Sequence, residues 1–278
     1  MMRFNELTPG IDRYQSSAMI SLLAVLFLAN FIYAENLVGE SQVGPARQTG
    51  HFYPFEVGES ALYEASWSGI PVASAEIHAS SMLVHGKRFY EVKVQARTWR
   101  YLELIWKMRD SIESVFEAQT FQPHRFVFRQ RENRKKVDTT ALFDPGAKKW
   151  VVHRRQGDKI KEYEFVSSRT FDPISATYLA RSLDWKVGDT LQIEVFGGGS
   201  RYLVTLDVVG KEPITVKAGV FDAYKIIPRV ANLARSGYAA RVREATAWIS
   251  ADERRRPLKM ISQVFIGSVS IEMVGEKS

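Results

Sequence analysis

From Gly58 to its C-terminus the chain alternates apolar and polar residues at period two, in one short stretch after another. Tyr63, Ala65 and Trp67 interleave with Leu62, Glu64 and Ser66, and the pattern resumes after each turn. Successive side chains of a strand point to opposite faces, so this alternation demands sheets with one buried and one solvated face. Such sheets are antiparallel; buried parallel strands read instead as continuous apolar runs. Strands are predicted at 72–84, 89–98, 107–117, 124–131, 136–143, 149–155 and 160–166. Further strands are predicted at 190–196, 201–209, 214–217, 220–231, 241–250, 257–265 and 268–274. Turn residues separate them: Ser68-Gly69-Ile70-Pro71, Gly86-Lys87, Asp144-Pro145-Gly146, Gln156-Gly157-Asp158, Gly197-Gly198-Gly199, Gly210 and Gly267.

One segment breaks the rhythm. Asp172-Pro173 is a helix start, an N-cap followed by proline at the first helical position, and Ile174, Tyr178 and Arg181 then share a face. A weaker helical turn is predicted at 100–106. The expected fold is mainly β: a single large curved antiparallel sheet, or an open barrel, with one helix packed in or over it. No linker interrupts the chain after residue 58, so residues 57–276 read as one β-rich domain.

The region ahead of that domain is an address. Residues 18–34 hold no charge, with Arg3 and Arg13 before them and Glu35 after. A membrane helix needs about 20 apolar residues, and this run is shorter. Residues 1–34 are read as a cleavable signal peptide cut between Ala34 and Glu35; the alternative is a single N-terminal membrane anchor. Residues 35–56 hold Gly39, Gly44, Pro45, Gly50 and Pro54 without apolar periodicity and read as a flexible leader.

Four segments in order carry a family resemblance. The first is Gly58-Glu59-Ser60-Ala61-Leu62-Tyr63-Glu64-Ala65-Ser66-Trp67-Ser68-Gly69-Ile70, and the second Asp172-Pro173-Ile174-Ser175-Ala176-Thr177-Tyr178 with Arg181. The third is Ala218-Gly219-Val220-Phe221-Asp222-Ala223-Tyr224-Lys225-Ile226. The fourth is Trp248-Ile249-Ser250-Ala251-Asp252 with Arg256-Pro257-Leu258-Lys259, ending in Gly267-Ser268-Val269. Together they resemble domain-of-unknown-function family 3108 of exported Gram-negative proteins, over about residues 57–275. The resemblance implies a periplasmic location and transfers no catalytic residue. The pattern is also distantly similar to the lipoprotein-carrier half-barrels, in which a curved sheet wraps a helix.

Chemistry-bearing motifs are sparse. The chain has no cysteine, which excludes a disulfide framework, a thiolate metal site, a cysteine nucleophile and a lipidated N-terminal cysteine. His51, His78, His85, His124 and His153 form no metal-binding pair, and no GxSxG elbow occurs. Gly197-Gly198-Gly199-Ser200 links two strands and opens no helix, so it reads as a hairpin turn and not a phosphate cradle. Asp110 and Glu113 stand three apart in a strand and therefore face opposite sides; Asp184 and Glu194 form a more distant pair. No catalytic residue, metal or cofactor is assigned, and the chain is read as a non-enzyme.

Two surfaces remain. Trp99, Tyr101, Leu102, Ile105 and Trp106 make the most apolar patch outside the signal, read either as a cavity lining or membrane-touching lip, or as a docked core element. The formal charge of +7 falls on residues 129–161, which hold eleven basic and four acidic groups. Arg129, Arg131, Arg134, Lys135, Lys136, Lys148, Lys149, Arg154 and Arg155 are read as an anionic-partner face on consecutive hairpins. Phe126 and Phe128 phase inward, away from Arg129 and Arg131, so the aromatics are not arranged for base stacking and nucleic acid is not expected. Lipid, lipopolysaccharide or an envelope protein fit the compartment better. The expectation is a periplasmic binder of an apolar or lipid-like ligand; a structural or assembly partner without a small ligand and a carbohydrate-active enzyme are the alternatives.

Overall fold

The computed structural model describes residues 58–233, 245–264 and 266–277. The predicted signal peptide, its Ala34–Glu35 junction, the leader and the start of the 241–250 strand lie outside them. Fifteen strands form the fold: β1 (Ser60–Trp67), β2 (Ile70–Val84), β3 (Lys87–Thr98), β4 (Arg109–Glu117), β5 (Pro123–Glu132), β6 (Lys135–Asp144), β7 (Lys149–Gln156) and β8 (Lys159–Val166) come first. After them come β9 (Thr170–Phe171), helix α1 (Pro173–Arg181), β10 (Thr190–Phe196), β11 (Arg201–Val216), β12 (Gly219–Asn232), β13 (Ala245–Ser250), β14 (Pro257–Gln263) and β15 (Ser268–Glu276). All belong to one sheet, ordered β8-β7-β6-β5-β4-β3-β2-β1-β15-β14-β13-β12-β11-β10-β9. Every pairing is antiparallel except β9 with β10.

The two outermost strands of that order, β8 and β9, are separated in the chain by only three residues. Three extended residues bridge at most about 14 Å between the flanking Cα atoms. The sheet must therefore curl until its edges face each other across a narrow seam. Across that seam Phe165 of β8 meets Phe196 of β10 at 5.4 Å between ring centroids, and Arg201 of β11 stands over Phe165. The result is an open barrel with one helix.

That helix fills the interior. Asp172 caps it as the sequence predicts: its buried carboxylate accepts from the backbone N–H of Ile174 (2.8 Å) and Ser175 (3.1 Å), and the Ser175 hydroxyl accepts from Asp172 N. Ser114 of β4 donates to the other Asp172 oxygen at 2.6 Å and fixes the helix start to the sheet. Tyr178 packs on Phe116, and the buried Arg181 pairs with Glu59 at 2.9 Å. A pocket between α1 and the inner residues Leu206, Ile226, Ala247 and Ile249 measures about 20 Å³, room for about one water molecule and not for an acyl chain. The space that the sequence reading gave to an apolar ligand is occupied by the protein's own helix and rings.

Some elements differ from the expectation. The predicted strands at 201–209 and 214–217 are one strand, and Gly210 is no turn; the β11–β12 register shifts between Val208 and Gly210, so the extra residue is absorbed as a bulge. At 100–106 only Arg100–Leu102 is helical, as a single 3₁₀ turn. Both tryptophans read as core from their alternating strands; Trp248 is buried, whereas Trp67 packs against the core while only partly buried and donates its indole N–H to Ile266 O.

Candidate functional site

Because neighbouring strands are antiparallel, the turns alternate between two ends of the barrel. One end, the rim, gathers the turns at 68–69, 99–108, 133–134, 157–158, 197–200 and 264–267. This geometry divides the predicted basic face. The residues from Arg129 to Lys136, with Arg154 and Arg155, lie on the rim halves of their hairpins, while Lys148 and Lys149 sit at the far end in the β6–β7 turn.

Strand parity decides which of these charges face inward. On β5, Phe126, Phe128, Gln130 and Glu132 share the buried face, so Arg129 and Arg131 face out as predicted. On β7, Trp150 and Val152 are buried and Arg154 follows on the same face. Their partners on β8 are Phe165, Tyr163 and Lys161. The inward layer thus changes from rings to polar groups over the last residues before the rim. Arg154 is therefore corrected from an outward charge to an inward one.

The polar layer opens into a pocket of about 650 Å³ at the seam, whose lining includes Lys135, Arg154, Lys161, Glu162, Tyr163 and Tyr202. The glycine-rich β10–β11 turn folds over its edge. Gly198 adopts φ +89°, a conformation that L side chains rarely take, and its carbonyl accepts from Arg154 Nη1 at 3.0 Å. The same nitrogen donates to Thr139 Oγ1 at 2.9 Å. Arg154 thus ties the two sides of the seam together through neutral oxygens, with no carboxylate within 4 Å among the described residues. Burial pulls its pKa below the usual arginine value. Burial also pushes the Tyr163 phenol up, and its hydroxyl is buried with no hydrogen-bond partner among the described residues. The turn is no helix-borne phosphate cradle, in line with the sequence reading.

Beside the pocket lie two carboxyls that sequence spacing did not pair. Glu132 is buried, with Lys135 Nζ at 3.8 Å its nearest cation, and it adjoins Asp110 of β4. Burial, together with the Asp110 charge, pushes Glu132 up to about 8; burial pushes Asp110 up to about 6 against the hydrogen bond it accepts from Arg131 N. Asp110 Oδ2 and both Glu132 oxygens lack a donor from any other described residue, so a proton held between the two acids supplies the missing bond. Asp110 and Glu113 face opposite sides, as their spacing requires, and Glu113 pairs outward with Arg125. Asp184 and Glu194 stay apart, each with its own arginine.

The aromatic patch divides as well. Trp106 is buried and Leu102 packs against the core, so these two are structural. Trp99 and Tyr101 are exposed, and Leu104 and Ile105 project into solvent at 98% and 81% exposure. None of them lines the seam pocket. Trp99 instead flanks a shallow site of about 350 Å³ with Arg97, Arg100, Glu103 and Arg109. A groove of about 660 Å³ on β1–β4 is lined by Glu64, which pairs with Lys217, by Glu76, which pairs with Lys277, and also by Arg97, Arg109 and Asp110.

The family described as Protein of unknown function (DUF3108) matches residues 62–274. The crystal structure of a beta-barrel-like protein of domain of unknown function DUF1849 from Brucella abortus is similar at TM-score 0.54 and 12% identity, over 80% of this chain and 97% of that one. A candidate lipoprotein from Parabacteroides distasonis gives TM-score 0.41 and 11% identity, over 82% and 98% of the two chains. A candidate exported protein from Bacteroides fragilis gives 0.34 and 10%, over 83% and 100%. The first of these likenesses shows a shared fold. No curated protein matches the chain.

Proposed function

The chain belongs to the DUF3108 family, and we propose that it is a non-catalytic periplasmic protein that binds the anionic head group of an amphiphile at the seam pocket. One observation carries the reading: Arg154 and Lys161 line a barrel mouth beside the unpartnered hydroxyl of Tyr163, and the one carboxylate in that lining, Glu162, pairs with His153 and leaves both cations without an ion pair among the described residues. The inward charge of the part-buried Arg154 is costly unless something compensates it, and a bound anion held with the exposed Lys161 does. Phe128, Tyr163 and Tyr202 offer the apolar part of such a ligand a wall. The filled interior sets the limit: the head group enters, and the acyl chains stay outside the barrel. The uncharged run at residues 18–34 supports export.

The test is calorimetric titration of the purified protein with lysophosphatidylglycerol and, separately, with zwitterionic lysophosphatidylcholine. Binding of the anionic amphiphile alone is expected. Lys161→Ala, which removes an exposed charge and leaves the core intact, should weaken it about tenfold, the worth of one charge-assisted hydrogen bond. Equal binding of both amphiphiles, or no effect of Lys161→Ala, overturns the proposal. The same filled interior favours a second reading, an assembly partner of the envelope without a small ligand. Crosslinking from the rim to one protein, with no amphiphile bound, would select it.

A further inference from the structure

A second feature of the rim stands apart from the pocket. The β3–β4 loop carries Leu104 and Ile105, the two most exposed large apolar side chains among the described residues. Their loop is not a loose excursion. Leu102 and Trp106 anchor it in the core, Ile105 N and Trp106 N both donate to Leu102 O, and Tyr101 Oη donates to Pro71 O in the adjacent strand. Ile70 is exposed one residue from that contact, and Ile266 is exposed beside Trp67, whose indole holds the β14–β15 turn. The tips of three neighbouring turns therefore present Ile70, Tyr101, Leu104, Ile105 and Ile266 on one side of the rim. A rigid scaffold that holds bare aliphatic tips in water is arranged for something apolar to cover them.

The charges around the tips say what covers them. Arg97 and Arg100 flank Trp99 at the foot of the loop, and Lys107 and Arg134 lie on the same end. Arg100, Lys107 and Arg134 have no carboxylate within 4 Å among the described residues; Glu103 is already held by Arg109. Aliphatic tips ringed by unpaired cations, with a tryptophan and a tyrosine between them, match a surface that is negative outside and apolar beneath. We propose that the rim docks onto an anionic lipid bilayer, with Leu104 and Ile105 entering the acyl boundary, Trp99 and Tyr101 at head-group level and the cations on lipid phosphates. Neither the apolar tips nor the charges suffice alone for stable attachment, and here both are present. The docking rests on the loop and not on the seam pocket, so either can fail without the other.

The test is co-sedimentation of the full chain with vesicles of mixed phosphatidylglycerol and phosphatidylcholine, and with vesicles of phosphatidylcholine alone. Wild type should sediment with the mixed vesicles and lose that association when salt is raised. The double variant Leu104→Asp, Ile105→Asp alters only exposed side chains and should weaken vesicle binding by a factor on the order of a hundred. The double variant should leave the titration of the seam pocket with lysophosphatidylglycerol unchanged, because neither residue lines that pocket. Failure of wild type to bind mixed vesicles, equal binding by the double variant, or capture of the tips by a single envelope protein in place of lipid overturns the proposal.

Discussion

Glu132→Gln isolates the least expected feature of the barrel, an acid held neutral beside a second acid. In the folded chain Glu132 keeps its proton up to about pH 8, whereas an unfolded glutamate releases it near the ordinary value of 4.5. The folded state then binds more protons than the unfolded state throughout that window. Stability is full below about pH 4.5, falls as pH rises, and levels off above about 8. The slope inside the window approaches 1.4 kcal/mol per pH unit, about 5 kcal/mol over the whole of it. The glutamine introduced by Glu132→Gln carries no proton to lose, and its amide N–H can donate to Asp110 Oδ2 in place of the proton that Glu132 holds toward it. The two chains should therefore diverge with pH: the variant gains about 2 kcal/mol over wild type between about pH 6.5 and 8. Asp110, raised to about 6, is mostly ionised at the start of that interval and completes its titration by about pH 7, so the upper half of the interval reports Glu132. His124, whose pKa burial holds down, titrates alike in both chains and cancels in the difference. The assay is urea unfolding followed by tryptophan fluorescence at several pH values, with Glu132→Gln and wild type in parallel. A difference in stability that stays flat over the interval refutes the argument, because it would mean that Glu132 is ionised in the folded chain.

Two further perturbations probe the elements that position the site. Asp172→Ala removes the helix cap and the buried partner of Ser114 together; a loss of about 2–4 kcal/mol is expected in the same unfolding assay, with part regained in Asp172→Asn. Gly198→Ala places its Cβ 3.6–3.8 Å from Phe128, Phe126 and Thr139, ordinary contact, so its cost of about 1–2 kcal/mol comes from the backbone conformation alone and should be the same for Gly198→Ser.

The fold was legible because its rule is local. Period-two alternation and turn residues located the strands, and Asp172-Pro173 located the helix, since capping is settled within four residues. The strand order followed less directly: only the three-residue step from β8 to β9 reveals that the edges meet. The site was legible in part, by a signal that was present and not extended. Phe126 and Phe128 were phased inward, and the same parity carried two and four residues further reaches Gln130 and Glu132; from Trp150 and Val152 it reaches Arg154. Counting charges along 129–161 treated all of them as solvated, and so missed that Glu132 and Arg154 turn into the barrel. The Asp110–Glu132 contact was beyond reach, because it depends on the β4–β5 pairing and not on spacing within one strand.

The two ends of the barrel use charge differently, and the difference argues for the direction in which it works. At the far end Arg254 and Arg256 share Glu276, Arg256 also holds Asp252, and Arg181 holds Glu59 beneath them. These pairs close that end over α1 with their charges spent on one another. At the rim the cations outnumber their carboxylates, and of the two acids buried there, Asp110 and Glu132, the one nearer Lys135, Glu132, is kept protonated instead of serving as a counter-ion for Arg154 or Lys161. A neutral Glu132 leaves the field of those cations intact for an anion arriving from outside. If Glu132 were ionised it would compete with that anion for Lys135, so head-group binding at the seam should weaken as pH rises through about 8 and hold steady there in Glu132→Gln.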